Sequence, residues 1–126
     1  MFNKVVLVGR LGADPETRQS QSGVAIAGFR LATSIPMKSK SGQKEEKTDW
    51  HRIVAFGNLA GFCGKYLAKG RLVLVEGHIS NRESADGRGT AMEIVASVIQ
   101  ALDRPHDSGR AAASLKEQAE PTGRAK

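Results

Sequence analysis

The chain has 126 residues, 40% of them hydrophobic and 25% charged, proportions typical of globular proteins that exclude wholesale disorder and a fibrous architecture. That length holds one domain of roughly 100 residues and a tail, not two full domains. Nineteen Lys and Arg against thirteen Asp and Glu give a net charge of +6, which suits a polyanionic partner without identifying one.

In chain order, five short apolar runs rich in β-branched residues and bounded by turn signals predict strands: Asn3 to Leu11, Val24 to Thr33, Asp49 to Phe56, Leu72 to Ile79 and Thr90 to Ile99. Gly12-Ala13-Asp14-Pro15, Ser41-Gly42 and Asp86-Gly87-Arg88-Gly89 supply the breaks. Ser34 to Lys47 reads as a connection that is long for a hairpin, carries Lys38, Lys40, Lys44 and Lys47, and is expected to close over a ligand. Between the third and fourth strands, Leu59, Phe62, Cys63, Tyr66 and Leu67 fall on one helical face. Asn58 is expected to cap this helix, and Gly70 to supply the left-handed residue past its end.

The resulting order, β-β-β-α-β-β, predicts an all-β chain with the OB-fold, a five-stranded Greek-key barrel with one helix between strands 3 and 4. This domain is expected over residues 1–103. Residues 104–126 hold Ala, Gly, Ser and charges with Leu115 as the only large aliphatic residue, and are expected to form a flexible, disordered basic tail. Fourteen basic and ten acidic side chains fall in residues 1–103, five and three in 104–126, so both parts carry positive charge.

Chemistry is poorly supported. Cys63 is the only cysteine, which excludes an intrachain disulfide and Cys-rich zinc sites, and His51, His78 and His106 have no metal-ligand spacing. The expectation is no metal, no cofactor and no catalysis. Gly57 to Tyr66 fails as a phosphate-binding loop because Leu59 and Tyr66 stand where Gly and Ser or Thr are required. Cys63 paired with His51 is less well supported as a nucleophile and base than as a buried thiol on an apolar helix face. No apolar run reaches the length of an export signal's central region or a membrane span, so a cytoplasmic protein without a membrane partner is expected.

Binding is better supported. Alternation from Thr48 to Gly57 puts Trp50, Arg52, Val54 and Phe56 on one face of a strand. Two aromatics flanking a guanidinium suit unpaired nucleic acid, since every base offers a π-face and Arg52 reaches phosphate. The same residues fit a buried core almost equally well.

Three segments sharpen the choice: Asn3-Lys4-Val5-Val6-Leu7-Val8-Gly9-Arg10-Leu11-Gly12-Ala13-Asp14-Pro15-Glu16, Phe29-Arg30-Leu31-Ala32-Thr33 and Thr48-Asp49-Trp50-His51-Arg52-Ile53-Val54-Ala55-Phe56-Gly57. With Tyr66-Leu67-Ala68-Lys69-Gly70 and Val75-Glu76-Gly77-His78-Ile79, they resemble the bacterial single-stranded DNA-binding protein family over about residues 1–103. The resemblance implies an OB-fold homotetramer, cytoplasmic and nucleoid-associated, that wraps single-stranded DNA non-specifically and protects it in replication, recombination and repair. It matches the family's four stacking positions to Met37, Trp50, Phe56 and Ser84, retaining two aromatics. Family match and loop position add Arg10, Lys38, Lys40, Arg52, Lys69 and Arg82 to the expected DNA footprint. With only two aromatics, charge is expected to carry more of the binding. The family's acidic C-terminal tip, which recruits repair and replication enzymes, has no counterpart in Glu120-Pro121-Thr122-Gly123-Arg124-Ala125-Lys126, so such recruitment is not expected. The alternative is an OB-fold adaptor of the replication machinery that works through protein contacts and binds DNA weakly.

Overall fold

Alternating burial along β-branched runs produces strands, and the computed structural model, which describes residues 1–83 and 87–103, contains six of them. They are β1 (Val5–Leu11), β2 (Glu16–Gln19), β3 (Ala25–Lys38), β4 (Lys44–Phe56), β5 (Leu72–Glu83) and β6 (Thr90–Ala101), with helix α1 (Asn58–Tyr66) between β4 and β5. The sheet order is β1-β5-β6-β4-β3-β2, and β1 pairs β3 as well, through Arg10 with Ala32 and Leu11 with Leu31. That second pairing closes β1-β5-β6-β4-β3 into the five-stranded OB barrel, leaving β2 outside on β3. Closure demands a glycine at position 9, where a Cβ would collide with the Ala32 carbonyl oxygen.

Leu31, Ile53, Val73 and Val75 fill the barrel and are fully buried, each contributing about 1.5–3 kcal/mol of apolar transfer. Helix α1 packs against β3 and β4 and brings Ala60 and Cys63 into the same core, with Leu67 beyond its C-terminus. The outer side of β4 carries Trp50 and Phe56, both exposed, with the buried Val54 between them.

Four local expectations need correction. Strand β2 was not expected, because all four of its residues are exposed and show no apolar period; pairing with β3 alone defines it. Ser34 to Lys47 is not a loop: β3 and β4 stay in register from Ile26–Phe56 to Lys38–Lys44, so only residues 39–43 turn. Backbone bonds from Ser39 to Gln43 and Gly42 to Ser39, with Gly42 at φ 85°, close that turn. Asn58 does not cap α1. The cap position is Gly57, at φ 68°, and no side chain bonds the helix start. Gly70 adopts the expected left-handed conformation, φ 89°, but within a turn closed by Arg71 N–H to the Ala68 carbonyl, beyond an extended Leu67. The proposed tail over 104–126 and Ser84 lie outside the described residues.

Candidate nucleic-acid interface

Residues opposed in an antiparallel pair share a face. On β3 and β4 the pairs Ala32–Trp50, Arg30–Arg52, Gly28–Val54 and Ile26–Phe56 lie on one face, and β2 extends it with Glu16 beside Gly28 and Arg18 beside Ile26. Phe29, Leu31, Ile53 and Ala55 take the other face and are buried. The Trp50 face therefore points outward. Trp50 is 51% and Phe56 47% exposed, which decides against a core role for either. They are six steps apart along the strand, about 20 Å at roughly 3.4 Å per residue, with Arg30 and Arg52 in the interval.

The indole of Trp50 is held in place. The Arg30 guanidinium carbon sits 5.7 Å from the ring centroid, an exposed cation–π contact of about 0.5–1 kcal/mol. The ring edge lies over Gly12, where a Cβ would overlap Cζ3 and come within 2.8 Å of Cη2. Gly12 reaches this position because its N–H donates to the Arg30 carbonyl at 3.0 Å. Arg52 lies similarly over Gly28, whose absent Cβ would meet its Nη2 at 3.3 Å. Gly12→Ala is accordingly expected to rotate the indole off its rotamer at a cost of about 1 kcal/mol. A shifted tryptophan emission would be the readout.

The other sequence-predicted residues separate into groups. Lys38 pairs with Lys44 on the Trp50 face at the end of the β3–β4 arm, and Lys40 is exposed in the turn. Met37 pairs with Glu45 and so projects from the opposite face of that arm, 47% exposed, beside the similarly exposed Ile35. The register does not bring it to Trp50. Arg10 is in the Trp50 row through Ala32, but its Nη1 donates to the Gly70 carbonyl at 2.9 Å and to Asp103 Oδ2 at 3.3 Å. Lys69 is exposed in the turn after α1, its backbone N–H donating to Asp14 Oδ1 at 2.9 Å. Arg82 pairs with Ala91 near the tip of the β5–β6 arm, in phase with the His78–Val95 pair, and Val95 pairs with Val54, so Arg82 shares the outward face.

Arg30 and Gly12 were missing from the sequence-based site. Alternation against the inward Phe29 and Leu31 is a signal that could have found Arg30. Gly12 depends on the β1–β3 closure, which leaves no local pattern.

Cys63 and His51 are engaged by the fold. Cys63 is fully buried, and desolvation pushes its thiol up to about 12 against the lowering effect of a backbone hydrogen bond. His51 Nε2 is 2.8 Å from Thr33 Oγ1. Among the described residues no helix is long and apolar enough to cross a membrane.

Comparisons with known proteins extend this picture. The model of the single-strand binding protein family matches residues 2–102. Single-stranded DNA-binding protein 1 of Chlorobaculum tepidum is 45% identical over 112 residues, 86% of this chain and 69% of that protein. A single-stranded DNA-binding protein of Neisseria meningitidis is 44% identical over 114 residues, 87% of this chain and 66% of that one. Among solved structures, a single-stranded DNA binding protein from Thermus aquaticus, a deletion mutant, superposes with TM-score 0.71 at 32% identity, over 81% of this chain and 51% of that one. A Plasmodium falciparum SSB in complex with single-stranded DNA superposes with TM-score 0.73 at 34% identity, over 82% and 96%. The chain thus spans about two thirds of the length of its bacterial relatives and half of the Thermus protein.

Proposed function

The chain belongs to the single-strand binding protein family, and we propose that it binds single-stranded DNA without sequence preference, protecting it during replication, recombination and repair. One observation carries the reading: Trp50 and Phe56 stand exposed on one outward face with Arg30 and Arg52 between them. Bases stack on the two rings, each stack contributing about 1–3 kcal/mol whatever the base, because every base has a π-face. The guanidiniums take the phosphates between the stacks, and Lys38, Lys40, Lys69 and Arg82 extend the positive surface. Arg10 contributes from the Trp50 row, and Met37 offers its thioether to a base on the far side of the arm.

The reading includes no catalytic step and no cofactor, and places the protein in the bacterial cytoplasm at the nucleoid. It also includes a homotetramer. Support comes from a second outward face, on β1, β5 and β6, where Val6 lies opposite Glu76, which lies opposite Val98, and Val8 lies opposite Leu74. Val6, Val8 and Val98 are 54%, 49% and 38% exposed, an apolar patch of the kind that subunit contacts cover.

Trp50 is the only tryptophan, so titration with oligo-dT and with matched duplex at two salt concentrations, followed by fluorescence and light scattering, tests both parts. The expected result is quenching by single strands alone and a mass near four times 13.5 kDa. A folded oligomer without saturable binding at low salt would overturn the DNA-binding reading in favour of an adaptor.

A further inference from the structure

Beyond Phe56 the outward face does not end. Its row continues through Ile26 to Arg18 on β2, and past Arg18 an open groove of about 460 Å³ runs between β2 and α1. Arg18 and Lys65 are the charged residues of its lining, which includes no acidic side chain. Both are exposed, and neither takes part in an ion pair among the described residues. The Lys65 ammonium lies 5.6 Å from the Tyr66 ring centroid, held at the groove's helical wall. Gly61 leaves that wall open, with nothing within 4 Å of where its Cβ would be. Glu16, the nearest carboxylate along β2, lies back toward Gly28.

We propose that this groove is an extension of the DNA path, in which Arg18 and Lys65 hold the phosphates of a strand that has passed over Phe56. The inference rests on the single-strand binding reading and assigns it a direction across the molecule. Charge complementarity and continuity with the Trp50–Phe56 row select the occupant: a groove with two cations and no acid, beginning one residue pair beyond a stacking ring, fits a phosphodiester backbone. It makes these two residues part of the footprint only for strands long enough to pass the second ring.

The test compares the wild-type chain with an Arg18→Gln/Lys65→Gln variant on a short oligo-dT, about eight nucleotides, and one of about sixteen, spanning the range covered by a single OB-fold. Each phosphate contact contributes about 0.7 to the slope of log affinity against log salt for single strands, so two contacts contribute about 1.4. On the longer oligomer the variant is expected to show a slope shallower by about 1.4. Over a fourfold rise in salt it therefore loses about sevenfold less affinity than the wild type. On the short oligomer the slopes are expected to coincide, and quenching of Trp50 at saturation to be unchanged. An unchanged slope on the longer oligomer overturns the proposal while leaving single-strand binding intact. An equal reduction on both overturns it too, because the cations would then act beside the rings instead of beyond them. If the wild-type chain binds neither oligomer, the single-strand reading fails, and this extension with it.

Discussion

Replacing Trp50 and Phe56 together by alanine is expected to weaken single-strand binding by about 2–6 kcal/mol, the sum of two base–aromatic stacks at about 1–3 kcal/mol each. Addition is justified because the rings are about 20 Å apart and share no contact, beyond the distance at which substitutions couple. The fold should tolerate both changes, since the side chains stand about half exposed on the outward face, and Ile53 and Ala55, which hold β4 in the barrel, are untouched. Loss of the tryptophan removes the intrinsic reporter, so affinity is to be followed by anisotropy of a labelled oligo-dT. Arg30 and Arg52 remain in the variant. The salt slope should therefore stay close to the wild-type value while the intercept falls. A variant with wild-type affinity would remove the rings from the site, whereas a flattened slope with intact affinity would show that they position the cations instead of stacking bases. Trp50→Ala alone also frees Arg30 from its cation–π contact, so its loss should fall below half of the double variant's if that contact competes with phosphate.

The contrast between the core and this face explains what sequence alone could reveal. Alternation in β4 separates Trp50, Arg52 and Phe56 from His51, Ile53 and Ala55, but it cannot say which set faces inward, because both contain large apolar groups. Burial resolves it: Ile53 and Ala55 have no exposed surface. Helix α1 was legible because its stripe is covered by one surface, with Cys63 and Leu67 buried and Leu59 and Phe62 packed on the core. The β3–β4 arm was not, because beyond Ser34 neither side of the ribbon is covered and the apolar period vanishes, although the backbone pairing persists to Lys38–Lys44. The same holds for β2. Gly12 beneath the indole is a tertiary feature: it depends on β1 crossing to β3, a pairing between segments about 20 residues apart. Arg10 illustrates the converse. A cation read as a DNA contact is also a link to the segment after β6, because of a carboxylate that is distant in sequence.

That carboxylate, Asp103, carries the second large expected effect. Arg71 is buried, 8% exposed, and its guanidinium donates Nε to Asp103 Oδ1 at 2.9 Å, Nη2 to the Asp103 carbonyl at 3.1 Å and Nη1 to the Tyr66 carbonyl at 3.1 Å. One side chain thereby ties together the end of α1, the start of β5 and the residues after β6. Asp103→Ala removes the carboxylate that, among the described residues, pairs with this buried cation. Breaking a fully buried pair costs about 3–5 kcal/mol, but the Asp103 side chain is 29% exposed and part of its solvation survives folding, so about 2 kcal/mol is expected. In thermal unfolding at fixed protein concentration this corresponds to a midpoint lower by roughly 10 °C. Desolvation alone would raise the Asp103 pKa, but hydrogen bonds from Arg71, the Leu72 backbone and Arg10, together with the Arg71 charge, hold it below the ordinary value of 3.8. A carboxyl depressed in the folded state binds its proton more readily when unfolded. Its stabilisation is therefore complete above the ordinary carboxyl value and is lost as pH falls through the lowered folded value. The wild-type advantage over Asp103→Ala should accordingly be constant through neutral pH and shrink only in acid, below about pH 4. If the difference instead persists unchanged into strong acid, the carboxylate charge is not what holds Arg71, and the hydrogen bond from Nη2 to the Asp103 backbone, which alanine retains, together with packing, must account for the local order.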